Sequence, residues 1–274
     1  MKIALIMMQK DEDHLLWPWV RYHGSRFGYD NCHIFDNGST SPAVLDHLKE
    51  CEALGVSVIY EHDKSTDYDR KHLIIKGKID ELREQRSHTA FIPLDCDEFL
   101  AIDEHGNVSL SGDRILSHIG EMAREGDYYL RVTARFVNSP VERDRFYRSN
   151  TAKVIFLPGS RSGKQDHGFH MRALRESRII QTRLAYVEFH NRPYEQVLKS
   201  AREKLALRVP DFSDETLRNY TGRGHHLAKY FLMGEKKYLN RYGSRESVTI
   251  AMSTEFRSLG VSYPYLEQLV RNGM

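Results

Sequence analysis

The chain has 274 residues, 40 % of them apolar and 28 % charged, with a formal net charge of +2. At this length most apolar surface is buried on folding, so a core forms without disulfide or metal staples. The near-neutral balance supplies no global field for nucleic acid, and no nucleic-acid partner is expected.

Lys2 to Met8 reads as a strand buried on both faces, carried by the run Ile3-Ala4-Leu5-Ile6-Met7-Met8. From Asp13, the residues Leu15, Leu16, Trp19, Val20, His23 and Phe27 recur at helical spacing. Asp11 or Asp13 is placed to cap this helix, Pro18 is its one awkward residue, and Gly28 ends it. Cys32 to Phe35 predicts a second strand. Ser41-Pro42 supplies an N-cap and an N1 proline for a helix closing at Gly55. Val56 to Tyr60 predicts a third strand, Asp67 to Gln85 a helix, and Thr89 to Leu94 a fourth strand. Strand and helix alternate, which predicts an α/β fold with a mostly parallel sheet and right-handed crossovers. Ligands of such sheets bind outside the carboxyl ends of the strands. That rule selects Gln9 to Asp11, Asp36 to Thr40, Glu61 to Lys64 and Asp95 to Glu98.

After Phe99 the pattern changes. Asp103 to Asn107 reads as a turn around Gly106, Ile115 to Arg124 as a helix, and Tyr128 to Val137 as a strand. Val154 to Leu157, Phe169 to Leu174 and Ala185 to Phe189 are further strand candidates. Pro193 opens a helix to about Arg208, and Asp211 to Tyr242 reads as helical. The expected organisation is one α/β domain over residues 1–205 with a helical extension, residues 206–274, packed on it.

The sharpest chemical feature is Phe91-Ile92-Pro93-Leu94-Asp95-Cys96-Asp97-Glu98-Phe99, an apolar strand that runs into three carboxylates. Crowded carboxylates repel one another unless a cation compensates. Mg²⁺ or Mn²⁺ favours such oxygen donors and would neutralise a diphosphate leaving group. The alternative is an acidic strand end paired with Arg or Lys. A haloacid-dehalogenase-type phosphatase also ends a strand in Asp-x-Asp, but on its first strand and with Thr or Val where Phe99 stands here. In Asp36-Asn37-Gly38-Ser39-Thr40, Asn-Gly marks a turn. The Ser41-Pro42 helix start makes it a strand-to-helix loop whose polar groups can meet a nucleotide.

Taken together these residues carry a resemblance. Asp11-Glu12, Leu16, Trp19, Tyr22-His23, Gly28, Asp30 and Phe35-Asp36-Asn37-Gly38-Ser39 resemble the opening of GT-A glycosyltransferases of the family 2 and family 92 (DUF23-like) group. Leu94-Asp95-Cys96-Asp97-Glu98-Phe99-Leu100 resembles their Asp-x-Asp-Glu-Phe. Phe189-His190-Asn191-Arg192-Pro193-Tyr194-Glu195 with Lys199 is similar to their His-Tyr-x-x-Arg-Ser-x-Glu-x-x-x-Lys. The three blocks stand in the family's order. The chain departs at Gln9-Lys10-Asp11, where Lys-Asn-Glu is usual, and at Pro18, Asn191 and Pro193.

The resemblance implies a GT-A-like, Rossmann-like fold and sugar transfer, with inversion, from a UDP- or GDP-sugar to a glycan, glycolipid or other hydroxyl acceptor. It implies that Asp95 faces the donor ribose or the metal, that Asp97 ligates the metal, and that His190 is a late ligand. A ring nitrogen beside Asp suits Mn²⁺ better than Mg²⁺. Gln9, Asp11, Asp36, Asn37 and Lys71 are candidate nucleotide contacts; for Lys71, with Arg70 and Tyr68, a solvated helix face is the plain alternative. Inversion needs a general base for the acceptor hydroxyl. Asp166, within Asp166-His167-Gly168-Phe169-His170, is the candidate and Glu98 its rival. Two rival functions are a metal-dependent phosphohydrolase using the same carboxylates and a non-catalytic binder of anionic glycan or lipid.

Thr133 to Arg208 is rich in Arg and Lys, among them Arg135, Arg143, Arg145, Arg148 and Lys153. It reads either as a solvated face or as a surface for phosphate, anionic glycan or anionic lipid. Adjacent His225 and His226 would point about 100° apart on a helix, too far to share one ion. The three cysteines, Cys32, Cys51 and Cys96, form no C-x-x-C pair and fit a reducing compartment. The first apolar run is too short for a signal sequence, and no stretch approaches the ~20 apolar residues of a membrane span. A cytoplasmic location is expected, with the basic middle region as the means of any peripheral association with the inner face of a membrane.

Overall fold

β1 (Ile3–Gln9) is buried at every position, and its two faces serve different cores. Ile3, Leu5 and Met7 join one apolar cluster, while Ala4, Ile6 and Met8 join another. This is the period-2 alternation of an extended chain covered on both sides. The computed structural model describes residues 1–124, 129–160, 168–169, 179–243 and 245–267. After β1 come α1 (Leu16–Phe27), β2 (Cys32–Asp36), α2 (Pro42–Ala53), β3 (Ser57–Ile59), α3 (Ser65–Asp69), α4 (Lys71–Glu84) and β4 (Ala90–Leu94). Then follow β5 (Glu98–Glu104), β6 (Asn107–Ser109), α5 (Gly112–Ala123), β7 (Tyr129–Arg131), β8 (Ala134–Asn138), β9 (Arg145–Asn150) and β10 (Val154–Phe156). The chain continues through β11 (Ile179–Gln181), β12 (Leu184–Glu188), α6 (Tyr194–Leu205), α7 (Asp214–Asn219), α8 (Ala228–Leu239), β13 (Ser247–Thr249) and α9 (Met252–Ser258).

The strands form two sheets. The first has the order β11-β7-β10-β4-β1-β2-β3, and its β4-β1-β2-β3 half is parallel. β10 runs antiparallel to both β4 and β7. Its single paired position on β4 is Phe91, so the ladder does not reach Pro93, which has no N–H to offer it. Helices α1, α2 and α5 contribute Trp19, Val44, Leu48 and Ile115 to the core on one side. α4 contributes Ile75, Ile79 and Leu82 to the other. The expected α/β architecture, with a parallel sheet flanked by helices, is thus present.

The second sheet was not expected. Its order is β13-β9-β8-β12-β5-β6, and its pairs are antiparallel except β8 with β12. Among the described residues the chain passes from the first sheet to the second three times: from β4 to β5, from β7 to β8 and from β11 to β12. The predicted strand from Tyr128 to Val137 is therefore two strands in two sheets, and Tyr128 itself lies outside the described residues. Local patterning carries through such a crossing unchanged, because both halves are extended and mostly buried.

Other boundaries also shift. The helix expected over Asp67 to Gln85 breaks at Arg70, which has φ −112° and ψ 12°. Ser41 does occupy the N-cap position of α2, but its hydroxyl donates to Asp13 (2.5 Å) rather than capping the helix. Phe169 is buried with φ 56°, outside the β region, and residues 170–174 of that strand candidate lie outside the described residues. The segment from Asp211 to Tyr242 is α7, a short 3-10 turn at His225–Leu227, and α8. α6 to α8 pack on one another through Leu205, Leu217, Ala228, Tyr230 and Tyr238. The chain beyond them returns to the main core: β13 extends the second sheet, and Phe256 lies against Phe99 (5.4 Å) and Phe189 (5.7 Å). Among the described residues, no helix is long and apolar enough to cross a membrane.

Candidate functional site

The carboxyl ends of β1 and β2 are joined by side chains. Gln9 Nε2 donates to Asp36 Oδ1 (2.6 Å) and to Ser39 Oγ (3.1 Å), while Gln9 Oε1 accepts from the Glu12 amide (3.2 Å). Asp36 also accepts from the Ser39 amide (3.0 Å). Asn37 Nδ2 donates to the carbonyls of His62 (2.6 Å) and Lys64 (2.8 Å). Asp11 accepts from the amides of Thr40 (2.7 Å) and Ser41 (2.8 Å). Burial raises the Asp11 pKa, but these bonds outweigh it and hold the carboxyl below its ordinary value. Gly38 has φ 73°, and a Cβ there would sit 2.6 Å from the Asp63 carbonyl oxygen. Of the expected nucleotide contacts, Gln9, Asp36 and Asn37 are buried and spend these polar atoms on the shape of the loop.

The acids after β4 separate into two groups. Asp95 Oδ1 accepts from Lys71 Nζ (2.7 Å), and Asp95 Oδ2 from Lys153 Nζ (2.6 Å). Burial raises the Asp95 pKa, but the two ammonium groups more than offset it and hold the carboxylate far below its usual range. Lys153, itself buried, also meets Glu98 Oε1, while Glu98 Oε2 accepts from the Asp95 amide (2.8 Å). This is the expected alternative of an acidic strand end paired with basic side chains, realised at Asp95 and Glu98. Burial raises Glu98, Lys153 pulls it back, and repulsion from Asp95 and Asp97 leaves it pushed up to about 7.

Asp97 belongs to the second group. Its carboxylate, Glu188 and His190 each offer one ligand atom, and these atoms lie within 4.8 Å of one another. His190 Nδ1 is 3.6 Å from Glu188 Oε1 and 4.0 Å from Asp97 Oδ2. The Phe189 amide donates to the Asp97 carbonyl (2.8 Å), which clamps the two segments together. Donors around one cation at about 2.1–2.5 Å span up to roughly 4–5 Å, and two carboxylates with an imidazole suit Mn²⁺. The spacing and chemistry of the set therefore fit a divalent ion.

The structure brings Asp97 and His190 together and leaves Asp95 with the lysines. Asp166 lies outside the described residues. Glu188 was missed from the sequence, although Glu-x-His on an extended segment puts both side chains on one face. Glu188 stands opposite Glu98 in the antiparallel ladder, and like charges so placed repel. Arg135 on β8 answers it at 3.2 Å. Burial and the Asp97 charge, opposed by Arg135, leave Glu188 pushed up to about 8. Burial lowers His190, against the pull of Asp97. A buried carboxylate raised in this way beside a second acid is the electrostatic condition that a bound cation relieves.

No family model matches the sequence, and no curated protein matches it significantly. Solved structures give loose superpositions. S. aureus TarS has a TM-score of 0.39 and 14 % identity over 89 % of this chain, which spans 44 % of that chain, less than half its length. A shorter TarS structure in complex with UDP gives 0.36 and 13 % identity, covering 99 % of this chain and 78 % of that one. A putative nucleotide-diphospho-sugar transferase from Desulfovibrio desulfuricans gives 0.31 and 9 % identity over 88 % and 99 % of the two chains. At such values it is the strand order and register above that define the architecture.

Proposed function

We propose that the chain is a nucleotide-sugar-dependent glycosyltransferase whose divalent cation, Mn²⁺ in preference to Mg²⁺, is held by Asp97, Glu188 and His190. The convergence of these three donors just beyond the carboxyl end of β4 carries the reading. The ordered sequence blocks that resemble those of GT-A enzymes of families 2 and 92 support it. A cation bound there would supply charge neutralisation to a diphosphate leaving group.

The remaining work falls to the chain. The Gln9–Asp11 and Asp36–Thr40 loops, braced by Asp36, Ser39 and Asn37, form the rigid rim on which the nucleotide rests. Lys71 and Lys153 keep Asp95 ionised and fixed at the mouth of β4. In the reaction the acceptor oxygen bonds to the anomeric carbon while that carbon's bond to the diphosphate oxygen breaks. The nucleoside diphosphate leaves with the electron pair, and the acceptor proton passes to a base. Asp166 is the proposed base, since both oxygens of Glu98 are occupied.

The test is transfer or hydrolysis with a panel of UDP- and GDP-sugars, with and without Mn²⁺. Asp97→Asn and Glu188→Gln should each lose more than about 100-fold of the metal-dependent rate. Wild-type rates in both variants would refute the metal site. Phosphate release from simple esters without sugar transfer would point instead to a phosphohydrolase.

A further inference from the structure

Next to the Asp97–Glu188–His190 cluster, and sharing His190 with it, lies a cavity of about 370 Å³. This falls within the ~300–1,000 Å³ range of small-molecule sites. Its wall carries Arg135 from β8, Lys229 and Tyr230 from α8, and Arg241, Tyr242 and Arg245 from the chain after α8. Among the described residues, no Asp or Glu lines it.

Cations elsewhere lie over a ring and meet a carboxylate too, as Lys71 has Tyr68 and Asp95 and Arg26 has Tyr22 and Glu255. Here they lie over rings. The Arg241 guanidinium is 3.8 Å from the centre of Tyr238, Arg245 is 5.2 Å from that of Tyr242, and Lys229 is 5.0 Å from that of Tyr230. Arg135 has Glu188, but among the described residues no carboxylate pairs with Lys229, Arg241 or Arg245. Arg241 Nη1 and Arg135 Nε are buried without a hydrogen-bond partner among the described residues. Arg241 Nη2 meets Asn191 Oδ1 and the Lys229 and Arg245 side chains are exposed, so it is the unspent buried donors among these like charges that an anion would complete.

We infer that this cavity binds the acceptor, and that the acceptor is a saccharide bearing a phosphate group. The inference rests on the glycosyltransferase reading. Forked guanidinium donors match phosphate oxygens, and the saccharide follows from the glycosyltransferase reading. The wall comes from β8, β9, α8 and the residues after α8, and none of it from the loops after β1 and β2 on which the nucleotide is placed. The shared His190 puts the bound sugar within reach of the transfer centre.

The test measures binding of glucose 6-phosphate, glucose, glucuronate and inorganic phosphate to the full chain by calorimetry, with UDP plus Mn²⁺ titrated separately. Glucose 6-phosphate should bind at least tenfold more tightly than glucose or glucuronate, and inorganic phosphate should compete with it. Lys229→Ala/Arg245→Ala removes two exposed side chains, so the fold should persist. That variant should bind glucose 6-phosphate at least tenfold more weakly and UDP–Mn²⁺ within twofold of wild type. Equal binding of glucose, or of glucuronate, would overturn the phosphate assignment. Wild-type glucose 6-phosphate binding by the variant would overturn the site, and parallel loss of UDP–Mn²⁺ would make the cavity a donor site. Failure of the wild type to bind UDP–Mn²⁺ while the sugar phosphate binds would count against the glycosyltransferase reading alone.

Discussion

Lys153 Nζ donates to Asp95 Oδ2 at 2.6 Å, and this contact ties the residue before β10 to the residue after β4. The same ammonium serves Glu98, so one buried cation holds a buried and a half-buried acid where the chain crosses between sheets.

Lys153→Met should therefore destabilise the fold by about 3–5 kcal/mol, because it leaves buried Glu98 without its cation and Asp95 with Lys71 alone. Urea denaturation measures this. Adding Glu98→Gln to the variant should recover part of the loss, since an amide carries no charge to strand. A single-variant loss below about 1 kcal/mol would mean that water, not Lys153, stabilises these acids.

His23 gives a pH dependence. Its Nδ1 lies 3.0 Å from the Trp19 carbonyl and its Nε2 accepts from the Leu100 amide (3.2 Å), which assigns a neutral ring protonated at Nδ1. Burial, against the Trp19 bond, pushes its pKa down to about 3. The unfolded chain takes up this proton near the ordinary value of 6.5 and the folded chain does not. Stability supplied by the neutral ring is thus complete above pH 6.5 and is lost as pH falls from 6.5 towards 3, on the order of 3–5 kcal/mol in all. Chemical denaturation of wild type and His23→Gln across pH 4–7 should show a shallower acid limb in the variant. Parallel curves would show that His23 does not titrate on unfolding.

Gly38→Ala should cost about 2 kcal/mol or more. Alanine resists the positive φ, and its methyl meets a backbone oxygen that cannot swing aside as a long side chain would. Thermal unfolding reads the loss. Since the loop also shapes the rim after β2, UDP binding should weaken at the same time, and an unchanged midpoint would exclude the strain.

Phe256→Ala should cost about 3–5 kcal/mol, the usual penalty for emptying a core aromatic site. Phe256 is fully buried against Phe99, Phe189 and Tyr263. A loss under about 1 kcal/mol in guanidinium denaturation would mean that the chain after β13 is peripheral to the main core.

The parallel half of the first sheet was legible because its signals are local. Ile3 to Met8 and Ala90 to Leu94 are apolar on both faces, and turn or capping residues bracket the helices between them. The second sheet was not: the fourth strand is read to end at Leu94, and Glu98 to Glu104, following the acidic turn directly, is given no strand. Its partner β12 lies far along the chain, and pairing over such a separation leaves no mark on either segment alone.

The sequence by itself determined the α/β class, the order of the first four strands, and the placing of acids where ligands of such sheets bind. Only the tertiary structure decided which acids share a site. A carboxylate after a buried strand serves an ammonium ion or a metal ion equally well, and its partner is chosen by position. Lys71 and Lys153 reach Asp95, whereas Glu188 and His190 reach Asp97, because β12 pairs with β5 in the register that sets Glu188 opposite Glu98.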